Sequence, residues 1–414
     1  MKKFTVFAFC SPPVSMKNYI DYKECGFNTV LIDHSYARLG TKEYNKVYEI
    51  CDELGLDAIP MSRFPDLGCQ RFPLDGDPVD YNQYKSFRGV HLQDEPLRHE
   101  WPELVERIKY FNEKYPGKEV WLNTTPCYGE MALAEQYPLT ADGHGHARVE
   151  ETMRLYGEEL LDTIEGNKIF SMDYYPLQKR GEKPIILHDW LWGVETCAHV
   201  AKEKNYDYYA YVQSGGWVLE GLDPYLAPTT AEELRFQILV YLAYGVVGYG
   251  YFTYVTPLME SFYGAIIEHG EKTPLYDCAK KVNAELKKLE PLVKDLDYVG
   301  TALWIGEKPA DFARTTLYRM KHLHTDYKKL RLRENLYDVV IGEFNKEDRY
   351  GYVIANYIHP LEKKINKLKF EVYGDVEEVI VYRRGKKSVH KVVDHMVELR
   401  IPSGDGVFLT FPEK

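Results

Sequence analysis

Between residue 4 and about residue 290 of this 414-residue chain, short runs of β-branched and aromatic residues alternate with stretches of helical period. That alternation is what βαβ units and a parallel sheet produce. Eight runs read as strands: Phe4 to Phe9, Thr29 to Asp33, Ala58 to Ser62, Gly89 to Gln93, Glu119 to Asn123, Lys168 to Asp173, Tyr208 to Gln213 and Val246 to Phe252. Helical patterns stand between them, among them Lys42 to Leu54, Trp101 to Tyr115, Val149 to Ile164, His188 to Lys204 and Thr230 to Tyr244. Gly26 and Gly55 each fall where a left-handed residue ends a helix just before the next strand. Eight such units favour an α/β fold closed into a (β/α)8 TIM barrel over an open sheet.

Past a last helix, about Tyr276 to Leu296, the texture changes. From Gly300 onward the helical period fades, and Tyr350 to Tyr357, Leu368 to Val372 and Val379 to Tyr382 read as short antiparallel strands. Turn signals such as Arg384-Gly385-Lys386 and Ser403-Gly404-Asp405-Gly406 accompany them. The expected organisation is a catalytic barrel over residues 1–296 and a small C-terminal antiparallel β-sandwich over residues 297–414.

A barrel keeps its chemistry at the C-terminal ends of its strands, so the residues of interest end a strand and point toward the axis. In the fourth strand Val90 and Leu92 suit the helix-facing side, which by period two turns His91, Gln93 and Glu95 inward. The same logic puts Trp121 and Asn123 inside from the fifth strand, Ser171 and Asp173 from the sixth, and Tyr211 and Gln213 from the seventh; the second ends in Asp33-His34. Glu95, Asp94 and Asp173 are the candidate catalytic groups. Asp33, His34, His91, Asn123, Tyr174, Tyr175, Gln213, Trp217 and Tyr251 are the candidate substrate contacts. Glycoside hydrolysis needs such a set: one protonated carboxyl to give the leaving oxygen its proton, and a second carboxylate to attack, to activate water or to stabilise positive charge on the sugar. Amides and aromatic faces would orient the ring, and Trp217 follows a strand end on a Gly-rich loop.

Composition narrows the partners. With 52 Lys+Arg against 63 Asp+Glu the net charge is −11, and no basic stripe stands out, which argues against nucleic acid or an anionic membrane. The seven cysteines are scattered without a C-x-x-C pair, so neither a disulfide framework nor a zinc site is expected and the thiols read as reduced. Gly215-Gly216 lacks the lysine of a P-loop and the full dinucleotide fingerprint, and no cofactor or metal is expected. Met1-Lys2-Lys3 followed by Phe4 to Cys10 imitates a secretory leader, but the run is short, meets Pro12-Pro13 almost at once and reads better as a first strand. Without an apolar segment of transmembrane length, a cytoplasmic protein is expected, with oligomerisation left open. The 35 tyrosines offer flat apolar faces with hydroxyls, complementary to the C–H faces and hydroxyls of a sugar.

Gly89-Val90-His91-Leu92-Gln93-Asp94-Glu95-Pro96 resembles the fourth-strand motif of barrel glycoside hydrolases, whose acid/base Glu ends that strand, commonly as Asn-Glu or Asn-Glu-Pro. Glu95 matches, and Asp94 stands in for the Asn. The whole plan, including Val353 to Tyr357, Gly404 to Leu409 and Leu242 to Tyr249, is similar to family-42-type β-galactosidases and their relatives. That resemblance implies a nucleophilic Glu at the end of strand seven, where this chain has Gln213. The adjacent Asp94-Glu95 also looks like the Asp-Glu pair of family 20 and family 123 hexosaminidases, which implies Glu95 as acid and Asp94 holding the substrate's own acetamido group. Otherwise Asp173 supplies the second carboxylate, and a separation from Glu95 of roughly 5 to 5.5 Å would imply retention and roughly 6.5 to 9.5 Å inversion. Two other classes use the same mouth: a metal-dependent sugar isomerase or lyase binding a divalent cation through Glu95, Asp173, Asp33 and His34, or a non-catalytic sugar-binding barrel.

Overall fold

The eight expected runs form strands in the computed structural model, which describes residues 4–32, 41–62, 79–124, 145–221, 223–258, 261–311 and 313–412. They are β1 (Thr5–Ala8), β2 (Thr29–Ile32), β3 (Asp57–Pro60), β4 (Gly89–Asp94), β5 (Glu119–Thr124), β6 (Ile169–Met172), β7 (Asp207–Gln213) and β8 (Gly248–Phe252). Six of them pair in parallel in the order β1-β8-β7-β6-β5-β4, and β2 pairs in parallel with β3. Ala58 and Met61 bridge to Phe87 and His91, so β3 runs on toward β4. Beside β1, the Asn28 backbone N–H donates to Val6 O while its Oδ1 accepts from Val6 N, so one side chain extends the ladder toward β2. The result is a curled parallel sheet.

Its two faces are sorted by period two. Phe7, Leu31, Ile59, Trp121, Ile169, Tyr209 and Tyr211 cluster on the concave side. Val6, Val30, Ala58, Val90, Val120, Phe170, Ala210 and Tyr249 belong to the larger core beneath the helices. In β8 glycine alternates inward, and a Cβ on Gly250 would lie 2.4 Å from the Phe7 ring, so the aromatic filling of the axis dictates the glycine.

The helices are α1 (Met16–Glu24), α2 (Lys42–Leu54), α3 (Trp101–Lys114), α4 (Gly145–Glu159), α5 (Trp190–Lys204), α6 (Ala231–Ala243) and α7 (Pro274–Leu286), with a short α8 (Glu290–Lys294). Gly55 does close α2 with a left-handed φ of 65°. The single helix expected over Tyr276 to Leu296 is divided, because Pro291 has no N–H for a carbonyl one turn back and instead suits the first turn of α8. Among the described residues no helix is long and apolar enough to cross a membrane. Five described cysteines are free, with Cys25, Cys51 and Cys197 buried.

After α8 the chain is antiparallel and β-rich: β9 (Asp297–Trp304), β10 (Leu330–Asn335), β11 (Val339–Lys346), β12 (Arg349–Asn356), β13 (Ile365–Val372), β14 (Glu378–Arg383), β15 (Lys386–Lys391), β16 (Met396–Pro402) and β17 (Gly406–Thr410). One sheet has the order β9-β11-β12-β17-β14-β15, the other β10-β13-β16. Leu330, Phe370 and Leu399 of the smaller sheet share a core with Ile341, Ile354 and Leu409 of the larger.

Candidate active site

The end of β4 does not alternate as the simple pattern predicts. A register shift between His91 and Gln93 leaves His91 opposite Trp121 but brings Gln93 opposite Leu122 and Asp94 opposite Asn123. Leu122 belongs to the helix-facing core, so the bulge carries Gln93 outward, where its Oε1 accepts from Arg107 of α3 at 3.2 Å. The inward place expected for Gln93 is thus taken by Asp94. Glu95 then adopts a left-handed φ of 46° while its N–H donates to Asn123 O at 2.8 Å. The bulge inverts the phase, and the left-handed residue sets Glu95 close enough to feel both Asp94 and Asp173.

Asn123 joins the carboxylates. Its amide nitrogen donates to Asp94 Oδ1 at 3.0 Å and to Asp173 Oδ1 at 2.8 Å, while its Oδ1 accepts from the Ser171 hydroxyl at 2.9 Å. An amide nitrogen has two hydrogens, and each reaches a different carboxylate. Tyr211 is hydrogen-bonded to Ser171, and since the one Ser171 hydrogen points to Asn123, the Tyr211 phenol is the donor. Tyr211 and Ser171 were placed inside by alternation, but nothing in the sequence indicated that they brace Asn123.

Three carboxyl groups converge here in partly buried surroundings. Burial, then Asp173 and Asp94, pushes Glu95 up to about 9 from an ordinary 4.5. Asp173 is pushed up to about 7, by burial and by Asp94, against the opposing hydrogen bonds from Asn123 and Tyr175. A site in which ionising one carboxyl raises the cost of ionising the next retains a proton at neutral pH. A retained proton beside an ionised carboxylate is what general acid catalysis requires.

The remaining expected contacts divide. Tyr175 belongs to the mouth: it hydrogen-bonds Asp173 and its ring meets Trp217 and Phe252. His91 is buried among the aromatic filling, edge-on to Phe9, and burial lowers its pKa to about 4, so it is neutral. Tyr251 does not reach the mouth; it faces outward and its hydroxyl donates to Asn283 of α7 at 2.8 Å, because Gly248 and Gly250 hold the inward positions of β8. Tyr174 likewise lies in the helix-facing core, one residue out of phase with Tyr175. Gln213 is fully buried: its Oε1 accepts from Leu177 N, and its Nε2 donates to Leu177 O and Leu226 O, at 2.8 to 2.9 Å. It clamps two loops rather than facing a substrate. Trp217 is 5% exposed, stacked on Tyr225 at 4.4 Å and edge-on to Tyr175, so its faces are occupied by protein. Asp33 and His34 lie outside the described residues. A cavity of about 420 Å³, lined by Phe4, Val6, Asn28, Leu56 and Glu290 among others, lies by the opposite ends of the strands and contains none of these carboxylates.

No protein-family model and no curated protein sequence matches the chain. Among solved structures it is similar to a β-galactosidase from the psychrophilic Marinomonas ef1, at 10% identity over 72% of this chain and 62% of that one, with a TM-score of 0.49. It is also similar to a GH30 endoxylanase from Clostridium papyrosolvens, at 9% identity over 99% and 96% of the two chains with a TM-score of 0.45. A third is an α-amylase from Geobacillus thermoleovorans, at 8% identity over the full length of both chains with a TM-score of 0.47. The chain thus spans less than two thirds of the galactosidase it resembles. At these identities and TM-scores the likeness assigns neither a family nor an activity.

Proposed function

We propose that the protein is a glycoside hydrolase in which Glu95 is the general acid and Asp173 or Asp94 the second carboxylate. The observation that carries this reading is the convergence of Glu95, Asp94 and Asp173 around the Asn123 amide, with Glu95 holding its proton. Its substrate is a glycoside or oligosaccharide, whose ring hydroxyls would meet Asn123 and Tyr175. The frame is a closed (β/α)8 barrel over residues 1–296 followed by a β-sandwich over 297–414. Parallel pairing from β4 round to β1 supports closure, as do the Asn28 and Phe87 links at β2 and β3.

In this mechanism Glu95 gives its proton to the leaving oxygen as the glycosidic bond lengthens. The second carboxylate, held by one hydrogen of the Asn123 amide, stabilises the charge on the sugar by attacking the anomeric carbon or by taking a proton from water. Gln213 cannot serve as nucleophile, because an amide is not one and its polar atoms are all committed. Asp173 is favoured for the second role because Tyr175 also holds it facing the mouth.

The test is turnover of a panel of aryl glycosides, N-acetylhexosaminides included, by wild type and Glu95→Gln. The variant is expected to lose about 10²- to 10⁴-fold in kcat on poor leaving groups and much less on dinitrophenyl glycosides, which need no proton. Loss independent of the leaving group would remove Glu95 from the acid role. Asp173→Asn and Asp94→Asn with added azide then identify the second carboxylate: a glycosyl azide product marks a nucleophile, and its anomeric configuration gives the stereochemistry.

A further inference from the structure

Far from the three carboxylates, α4, α5 and the segment before β10 bring together Glu150, His199 and His322. One potential ligand atom from each lies within 4.8 Å of the other two. His322 Nε2 is 2.9 Å from Glu150 Oε2, and His199 Nε2 is 3.9 Å from Glu150 Oε1. The two imidazoles lie face to face, centroids 3.4 Å apart and planes within 6°. Two cationic imidazoles would repel at that distance, and burial together with His322 lowers the His199 pKa, so His199 offers a free lone pair at neutral pH.

The cluster is built rather than incidental. Glu195, one turn before His199 on α5, is buried and accepts from the backbone N–H groups of Lys321 and His322 at 3.0 and 3.1 Å. Those two bonds fix the third ligand against the helix that carries the second. A positive charge already stands among the ligands: Arg154 Nη2 is 2.8 Å from Glu150 Oε1 and 3.4 Å from His199 Nε2. The same guanidinium reaches Glu203 through Nε and Nη2, at 3.2 and 2.8 Å, so it has a second anchor to which it can withdraw.

We propose that Glu150, His199 and His322 form a binding site for a divalent transition metal such as Zn2+, which displaces the Arg154 guanidinium toward Glu203. Two imidazoles and one carboxylate are a ligand set that zinc accepts, with water in the fourth position. The three ligands come from α4, α5 and the chain between β9 and β10, so the ion ties the helices around the parallel sheet to the C-terminal β-rich region. Arg154 keeps the unloaded site from carrying an uncompensated carboxylate. This site does not depend on the glycosidase reading, because it shares no residue with the mouth.

The test is calorimetric titration of Zn2+ into chelator-treated full-length protein, with the metal content measured after gel filtration. One equivalent is expected in wild type and in Asp173→Asn. In His199→Gln, His322→Asn and Glu150→Gln, binding should weaken by at least about tenfold, the cost usual even for an outer partner of a metal ligand. Each is chosen to keep a polar group in place, and a melting curve checks its fold. Arg154→Ala should bind Zn2+ more tightly than wild type, since it removes the competing cation. The proposal is overturned by absence of stoichiometric zinc in both wild type and Arg154→Ala, by unchanged affinity in the ligand variants, or by weaker binding in Arg154→Ala.

Discussion

Glu95 sits at φ 46°, a conformation that costs a bulky L-residue about 1–3 kcal/mol and persists where the surroundings enforce it. Its carboxyl is costly too, because burial and two neighbouring carboxylates oppose its charge. Its proton is therefore held more tightly in the folded protein, at about 9, than in the unfolded chain, near 4.5. Between those values the native state binds more protons than the unfolded one, so its stability falls as pH rises. Asp173, raised to about 7 from 3.8, acts in the same sense over the lower part of that window. Glu95→Gln removes the charge and keeps the shape, so it should melt above wild type, by a margin that widens from about pH 5 to about pH 8. Thermal melts across that range check this, and a margin constant with pH would show that Glu95 holds no proton in the window. Turnover should follow a bell, rising as the second carboxylate ionises and falling as Glu95 ionises, and the alkaline limb should vanish in Glu95→Gln.

At the scale of the element, strand ends show what a pattern can and cannot carry. Alternation placed Trp121, Asn123, Ser171 and Tyr211 on the concave side, because each lies in an unbroken strand whose other face is apolar. It failed at Gln93, because a bulge adds a residue without a signature in composition, and the chain then restored Glu95 through a left-handed turn. It could not assign Tyr251 and Tyr174, since tyrosine suits a helix-facing core as well as a mouth and only the glycines opposite Phe7 settle the phase of β8. Gln213 was legible as an absent nucleophile but not as a clamp, because its partners, Leu177 and Leu226, lie in loops whose return to β7 no local signal announces. The clamp has a testable consequence. Gln213→Glu installs the carboxylate that the resemblance to family-42-type enzymes would call for, yet a carboxylate cannot donate to two carbonyl oxygens. It should lower stability by about 2 kcal/mol or more in chemical denaturation and raise no glycosidase rate. Increased turnover would show that the position still addresses the substrate.

At the scale of the molecule, α6 explains why the two regions stay together. Its residues are apolar all round, and every one from Glu233 to Ala243 is buried, which a helix covering only one sheet would not show. One side faces the parallel sheet; the other meets Val340, Phe344, Val353 and Phe408 of the antiparallel sheet in a single continuous core. The approach is close enough that a Cβ on Gly342 would lie 1.9 Å from Ala243 O, and the Thr301 hydroxyl donates to that same carbonyl. Gly342→Ala must therefore push β11 off the end of α6, and a loss of about 2 kcal/mol or more is expected from the forced shift of packed backbone. Removing residues 297–414 is the larger version of the same experiment. It would leave the outer face of α6 exposed as an apolar surface, so residues 1–296 expressed alone should aggregate on gel filtration despite containing all three candidate catalytic carboxylates. A monomeric fragment with a cooperative melt would show that the parallel sheet and its helices form a self-sufficient unit, and that the apolar outer face of α6 serves attachment rather than folding.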